Sequence, residues 1–177
     1  MYSQIKKEAI VLDKTNKEIQ FKQTPVIQCI GTSNFSLLEV YSDQTVKIQD
    51  VISTENVIVK RITDEKLTSI AKNELEKTIE DLVKKNSERF VTFFNTARPI
   101  GVRRHQLDLL PMIGKKHRLA ILSYLDKNGP FKSLDDLKKI EMLPDPIKII
   151  TSRIMEEILN GDTEKHHLFT MPFFKKQ

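Results

Sequence analysis

The apolar residues of this 177-residue chain change their period once, near Asp64, and that change limits the fold more than any single motif. Over residues 8–62, short apolar runs are separated by polar or turn-forming residues. Ala9-Ile10-Val11-Leu12 is followed by the polar Asp13-Lys14-Thr15-Asn16-Lys17. Ile19 and Phe21 alternate with Gln20 and Lys22, and Val26-Ile27-Gln28-Cys29-Ile30 ends at Gly31, before a turn at Thr32-Ser33-Asn34. Phe35-Ser36-Leu37-Leu38-Glu39-Val40-Tyr41, then Val46, Ile48 and Val57-Ile58-Val59, complete a set of about five strands. Beyond Asp64, Leu67, Ile70, Ala71, Leu75, Ile79, Leu82 and Val83 recur at three and four residues, and Phe90, Phe93 and Phe94 continue the stripe. That spacing predicts an amphipathic helix over residues 64–95. Strands first and helices after define an α+β chain.

The helical half is built around Leu109-Leu110-Pro111-Met112-Ile113-Gly114-Lys115-Lys116-His117-Arg118-Leu119-Ala120-Ile121-Leu122. Pro111 resists continuing a helix, and Gly114 is free to take backbone angles that other residues avoid. The stretch resembles a helix-hairpin-helix motif, whose usual form reads Leu-Pro-Gly-Ile-Gly-Lys-Lys. Arg103-Arg104-His105-Gln106-Leu107-Asp108-Leu109 would supply its first helix, and the second would stop at Lys127-Asn128-Gly129-Pro130. Ser133 can cap a further helix, Leu134-Asp135-Asp136-Leu137-Lys138-Lys139-Ile140, with acids in its first turn. A second copy lies thirty-three residues on, where Leu143, Pro144, Ile154 and Met155 match Leu110, Pro111, Ile121 and Leu122. It has Pro146 for Ile113 and Ile147 for Gly114 and lacks most of the basic start, so it is read as structural. Pro99 and Gly101 mark a boundary. The expected architecture is a small OB-like five-stranded β-barrel over 1–62, a linking helix over 63–98, an all-α tandem helix-hairpin-helix domain over 99–161, and a tail over 162–177.

Charge is unevenly placed. The chain carries 29 Lys and Arg against 24 Asp and Glu, a formal +5, and between residues 103 and 118 five basic residues oppose only Asp108. Nearly all the excess therefore surrounds the hairpin, the footprint expected for a polyanionic partner. The first N–H groups of a helix favour an anion, whereas lysines there disfavour the isolated helix. A phosphate held between the lysines and the backbone reconciles the two. The long helix carries no such field, since it mixes seven acids and six bases between Asp64 and Arg89.

Other classes fall away. Cys29 is the only cysteine, which excludes a disulfide framework and a cysteine-based zinc site and reads as a small buried hydrophobe. The adjacent His166 and His167 share no helix face, and no spacing completes a ligand set, so neither metal nor cofactor is expected. No apolar run is long enough for a membrane span, and Met1-Tyr2-Ser3-Gln4-Ile5-Lys6-Lys7 lacks the core of a secretion signal, which predicts a cytoplasmic protein. A base-excision glycosylase with this hairpin would carry a catalytic Asp after its Gly-Pro pair, but Gly129-Pro130 precedes Phe131. No carboxylate cluster for two metals stands out, so catalysis is not expected. Phe21, Phe35 and Tyr41 are read as core rather than as a stacking platform. In the tail, Phe169, Phe173 and Phe174 are expected to pack on the body, with Lys175 and Lys176 free to meet a polyanion.

In order, the barrel, the long helix, Arg103-Arg104-His105-Gln106-Leu107 and Leu110-Pro111-Met112-Ile113-Gly114-Lys115-Lys116-His117 resemble an uncharacterised archaeal family of predicted RNA-binding proteins. Pro25-Val26-Ile27-Gln28, Phe35-Ser36-Leu37-Leu38-Glu39-Val40, Glu88-Arg89-Phe90-Val91, Gly129-Pro130-Phe131 and Leu143-Pro144-Asp145-Pro146 match as well, so the likeness covers nearly the whole chain. The resemblance implies an OB-like N-terminal half, a helix-hairpin-helix C-terminal half, and a non-catalytic protein that binds structured RNA, ribosomal or translation-linked. Ile113 and Gly114 would offer backbone N–H groups to a phosphate. Lys115, Lys116 and Arg118 would neutralise its neighbours, with Arg103 and Arg104 flanking. These residues do not separate RNA from DNA. One position departs from the motif: Met112 stands where the usual hairpin has its first glycine. If that position needs a left-handed backbone, methionine there costs on the order of 1 kcal/mol, and its thioether crowds a phosphate. An apolar Met112 facing a protein supports the alternative, an assembly factor docked on ribosomal or transcription-complex proteins.

Overall fold

A computed structural model describes residues 7–161 and 163–172. The expectations for the opening six residues and for Phe173, Phe174, Lys175 and Lys176 lie outside the described residues. Five strands, β1 (Glu8–Ile19), β2 (Lys22–Gly31), β3 (Leu37–Tyr41), β4 (Val51–Ser53) and β5 (Ile58–Arg61), come first. Five helices follow among the described residues: α1 (Ser69–Lys85), α2 (Ser87–Thr96), α3 (Lys115–Asn128), α4 (Leu134–Leu137) and α5 (Pro146–Leu159). The chain divides into two compact units, Met1–Ile79 with Glu156–Gln177, and Glu80–Met155.

The sheet of the first unit is antiparallel, in the order β4-β1-β2-β3-β5. β4 pairs with β1 and β5 with β3, but the two outer strands do not pair with each other. The sheet curls into an open half-barrel, and the closed OB-like barrel expected from the strand spacing is not formed. Edge length supplies the reason: β4 has three residues and β5 four, too few rungs for a closing ladder. β1 runs on through its polar residues, because each from Asp13 to Ile19 finds a partner on β2. The alternation at residues 19–22 is therefore a hairpin turn, and Val46 and Ile48 lie outside the strands.

From Val26 to Gly31 β2 is buried on both faces, so successive residues alternate between two covered sides. Ile27 and Cys29 join Ala9, Val11, Val40 and Ile52 in one cluster. Burial there pushes the Cys29 thiol up to about 12, so it stays protonated and inert. On the other face Gln28 seats the start of α1. Its amide donates to the Lys66 carbonyl and accepts the Thr68 N–H, both at 2.8 Å. Thr68 then donates to Asp13 at 2.6 Å and accepts the Ala71 N–H at 3.1 Å, capping α1. The long helix predicted over residues 64–95 is broken at Asn86, whose side chain donates to the Leu82 carbonyl at 3.0 Å in competition with the helical ladder.

In the second unit Phe90, Phe94, Leu107, Ile121, Leu137 and Ile149 are fully buried. The Asn95 amide clamps the segment after α3, donating to the Phe131 carbonyl at 2.9 Å and accepting the Phe131 N–H at 2.8 Å. Gly129 ends α3 at φ +78°, the stop that the Gly-Pro pair predicts. The region after α2 is nevertheless not a tandem helix-hairpin-helix domain. Where the motif needs its first helices stand a four-residue 3₁₀ turn, Gln106–Leu109, and the four-residue α4. Residues 98–106 form an extended loop instead, with Pro99 bridged to His105 and the Gln106 N–H donating to the Arg98 carbonyl at 3.0 Å. His105 caps the 3₁₀ turn by accepting the Leu107 N–H at 3.1 Å, so helical geometry starts only after it. Among the described residues, no helix is long and apolar enough to cross a membrane, and no group of three or more His, Cys, Asp or Glu is placed to hold a metal ion.

Candidate functional site

The start of α3 carries most of the residues singled out by the sequence. Gly114 precedes the helix at φ −96° and ψ 179°, extended backbone that any residue adopts. The left-handed conformation falls on Met112 instead, at φ +63°. Gly114 supplies space rather than an unusual angle, since no atom lies within 4 Å of where a Cβ would stand. It also supplies no side-chain cap. The Ile113 N–H is donated to the Leu110 carbonyl at 3.3 Å, and the Gly114 N–H to His117 Nδ1 at 3.4 Å. The helical ladder opens with the Arg118 N–H on the Gly114 carbonyl at 3.0 Å. The N–H groups of Lys115, Lys116 and His117 are left without an intrahelical acceptor.

The side chains divide in role. Lys115 and Lys116 are exposed and form no ion pair among the described residues. Arg118 is spent on Asp108, Nη1 to Oδ2 at 2.5 Å, with both side chains largely buried. The same carboxylate accepts the His105 N–H at 2.8 Å, so Arg118 braces the 3₁₀ turn against α3. Burial holds the His105 pKa below its ordinary 6.5, opposed by Asp108 and reinforced by Arg118. Its ring is neutral in the fold, and the stability this contributes is present above pH 6.5 and lost as pH falls through the lowered value. Arg103 and Arg104 are exposed on the 98–106 loop, beside a fully exposed Val102, and belong to a different element from Lys115 and Lys116. Ile113 is buried and anchors the turn.

The aromatics are sorted differently from the sequence expectation. Phe35 is buried, as expected of core, but Phe21 is 98% exposed at the tip of the β1–β2 hairpin. Cross-strand register is the signal that would have found it, and register is not written in local alternation. The first unit also holds a cavity of about 460 Å³ lined in part by Arg61, Asp64, Glu65, Lys66, Thr170 and Met171. The Arg61 guanidinium there donates to the carbonyls of Met171 and Pro172.

An open antiparallel half-barrel unit, followed in sequence by a helical unit with an uncapped, lysine-bearing helix start, is the class of protein these observations define. The chain belongs to the DUF655 family, whose model, described as "Protein of unknown function (DUF655)", matches residues 5–171. "Uncharacterized protein MJ0038" of Methanocaldococcus jannaschii is 32% identical over 157 residues, covering 82% of this chain and 70% of that protein. The crystal structure of Af1531 from Archaeoglobus fulgidus, family-model DUF655, aligns with a TM-score of 0.81 at 34% identity, over 93% of this chain and 99% of that one. Both relatives are archaeal, in line with the resemblance drawn from the sequence.

Proposed function

We propose that this chain is a non-catalytic, cytoplasmic nucleic-acid-binding protein that grips structured RNA, ribosomal or translation-linked, at the start of α3. One observation carries the proposal: three N–H groups without intrahelical acceptors lie beside two exposed lysines, next to a residue that lacks a Cβ. A phosphate accepting those N–H groups sits at the positive end of the helix dipole, and the ammonium groups neutralise its neighbours. Arg103 and Arg104 add charge from the 98–106 loop, and Arg118 acts through Asp108 by fixing the turn. Contacts of this kind position a protein on RNA without reading sequence. The test is the salt dependence of binding to a structured ribosomal RNA fragment. Lys115→Glu/Lys116→Glu is expected to weaken binding across sequences and to flatten the log–log salt slope by about 1 per lysine. An unchanged slope sinks the assignment.

A second reading draws on Met112 and Met142, which are 50% and 85% exposed at left-handed backbone positions in the loops before α3 and α5. Polarizable, adaptable thioethers held outward suit docking on protein. They support an assembly factor held on ribosomal or transcription-complex proteins. Such a factor stays in its complex after nuclease digestion, and an RNA-held one leaves.

A further inference from the structure

The β1–β2 hairpin closes with a two-residue turn, since its last paired rung is Ile19 with Lys22. Both central residues are left-handed, Gln20 at φ +50° and Phe21 at φ +62°. Positive φ at both positions is type I′ geometry, which strongly prefers Asn-Gly. A phenylalanine there strains the backbone, and this one buries nothing in return because its ring is 98% exposed. The side chain therefore contributes nothing to the fold that a glycine would not. The hairpin itself is regular, paired without interruption from Asp13 to Ile19, so the ring stands on a preorganised support.

We infer that Phe21 is a stacking contact for an unpaired nucleobase, with Lys22 meeting the adjoining phosphate. The inference takes its ligand class from the nucleic-acid reading of α3 and adds a base-recognising element that the lysine site lacks. The surroundings of the ring favour a base over a protein groove. Glu18, Gln20, Lys22 and Gln23 are all exposed and polar and Ile19 is only 38% exposed, so the tip offers one ring rather than a row of apolar anchors. One exposed ring with a neighbouring cation is what stacking on single-stranded nucleic acid uses. Lys22 forms no ion pair among the described residues, whereas the nearby Lys17 is paired with Glu39.

Two probes separate this inference from the reading it rests on. One is a stem-loop RNA with a single 2-aminopurine in its unpaired loop; the other is inorganic polyphosphate, which has charge but no bases. The wild type is expected to bind both and to change the 2-aminopurine fluorescence. Gln20→Asn/Phe21→Gly, which idealises the turn and so keeps the fold, is expected to lose that change and to bind the RNA about fivefold or more weakly. Its polyphosphate affinity stays at the wild-type value, and Phe21→Trp retains the optical response. Unchanged RNA affinity in the idealised hairpin overturns the inference, as does a tip that serves only a protein partner, which gives the same result. Polyphosphate binding with no base-dependent signal in the wild type overturns the inference while leaving the α3 reading intact. Binding of neither probe overturns both.

Discussion

Met112 holds a left-handed backbone, which the Cβ of an L-residue makes unfavourable by about 1 kcal/mol. Its side chain, half exposed, returns little of that through packing. Met112→Gly is expected to raise the unfolding free energy by about 1 kcal/mol in urea denaturation, less whatever the freer unfolded chain offsets. With phosphate at the α3 start, the same variant binds RNA at least as tightly, because a thioether leaves the approach. The sequence marked Met112 as a departure from a motif, but it did not show which residue carries the positive φ. Gly114, free to take such an angle, is extended. Arg118 is a similar case. Its charge was legible, while its commitment to Asp108, ten residues away, depends on how the 3₁₀ turn lies against α3.

At the scale of single elements, the caps were the most legible features because their chemistry acts within one turn. Ser133 caps α4 by accepting the Asp136 N–H at 3.3 Å. The Asp136 carboxylate receives Lys139 Nζ at 2.6 Å, together with the N–H groups of Lys132 and Ser133. The Lys139 hydrogen bond, then those backbone donors, hold its pKa at about 2 against an ordinary 3.8. A depressed carboxylate pKa contributes stability above the ordinary value that is lost as pH falls toward the folded one. An NMR titration is therefore expected to place Asp136 near 2. The Asp136→Asn variant should lose the corresponding acid limb of the stability curve between about pH 4 and pH 2. Element lengths were less legible than caps. α4 stops at Leu137 rather than Ile140, and β1 absorbs a polar run, because strand length follows cross-strand partners and not composition.

Across the whole molecule, the first unit draws on both ends of the chain, residues 1–79 and 156–177, with residues 80–155 forming the second. The sequence divides into barrel, linking helix, tandem hairpins and tail, with the tail's Phe169 expected to pack on the body, and that ring is buried. Arg61 ties the returning segment to β5 by donating to the Met171 and Pro172 carbonyls, and Glu157, in the last turn of α5, shapes that segment. Its buried carboxylate accepts the N–H groups of Leu168, Phe169 and Thr170 at 2.7, 3.1 and 2.8 Å, and the Thr170 hydroxyl at 2.9 Å. Glu157→Ala removes the acceptor from several inward-facing donors and is expected to cost about 3 kcal/mol. The urea midpoint should fall at constant slope, and Glu157→Gln should lose less.

The amino-acid sequence by itself determined the α+β order, the stop of α3 at Gly129, the Ser133 cap of α4, and the concentration of positive charge near the start of α3. Each depends on residues within a turn or two of one another. Only the tertiary structure decided that β4 and β5 stay apart, that residues 98–106 form a loop, and that Phe21 stands outside the core. These outcomes depend on which partners the chain brings together across long separations. Local periodicity carries no information about such pairings.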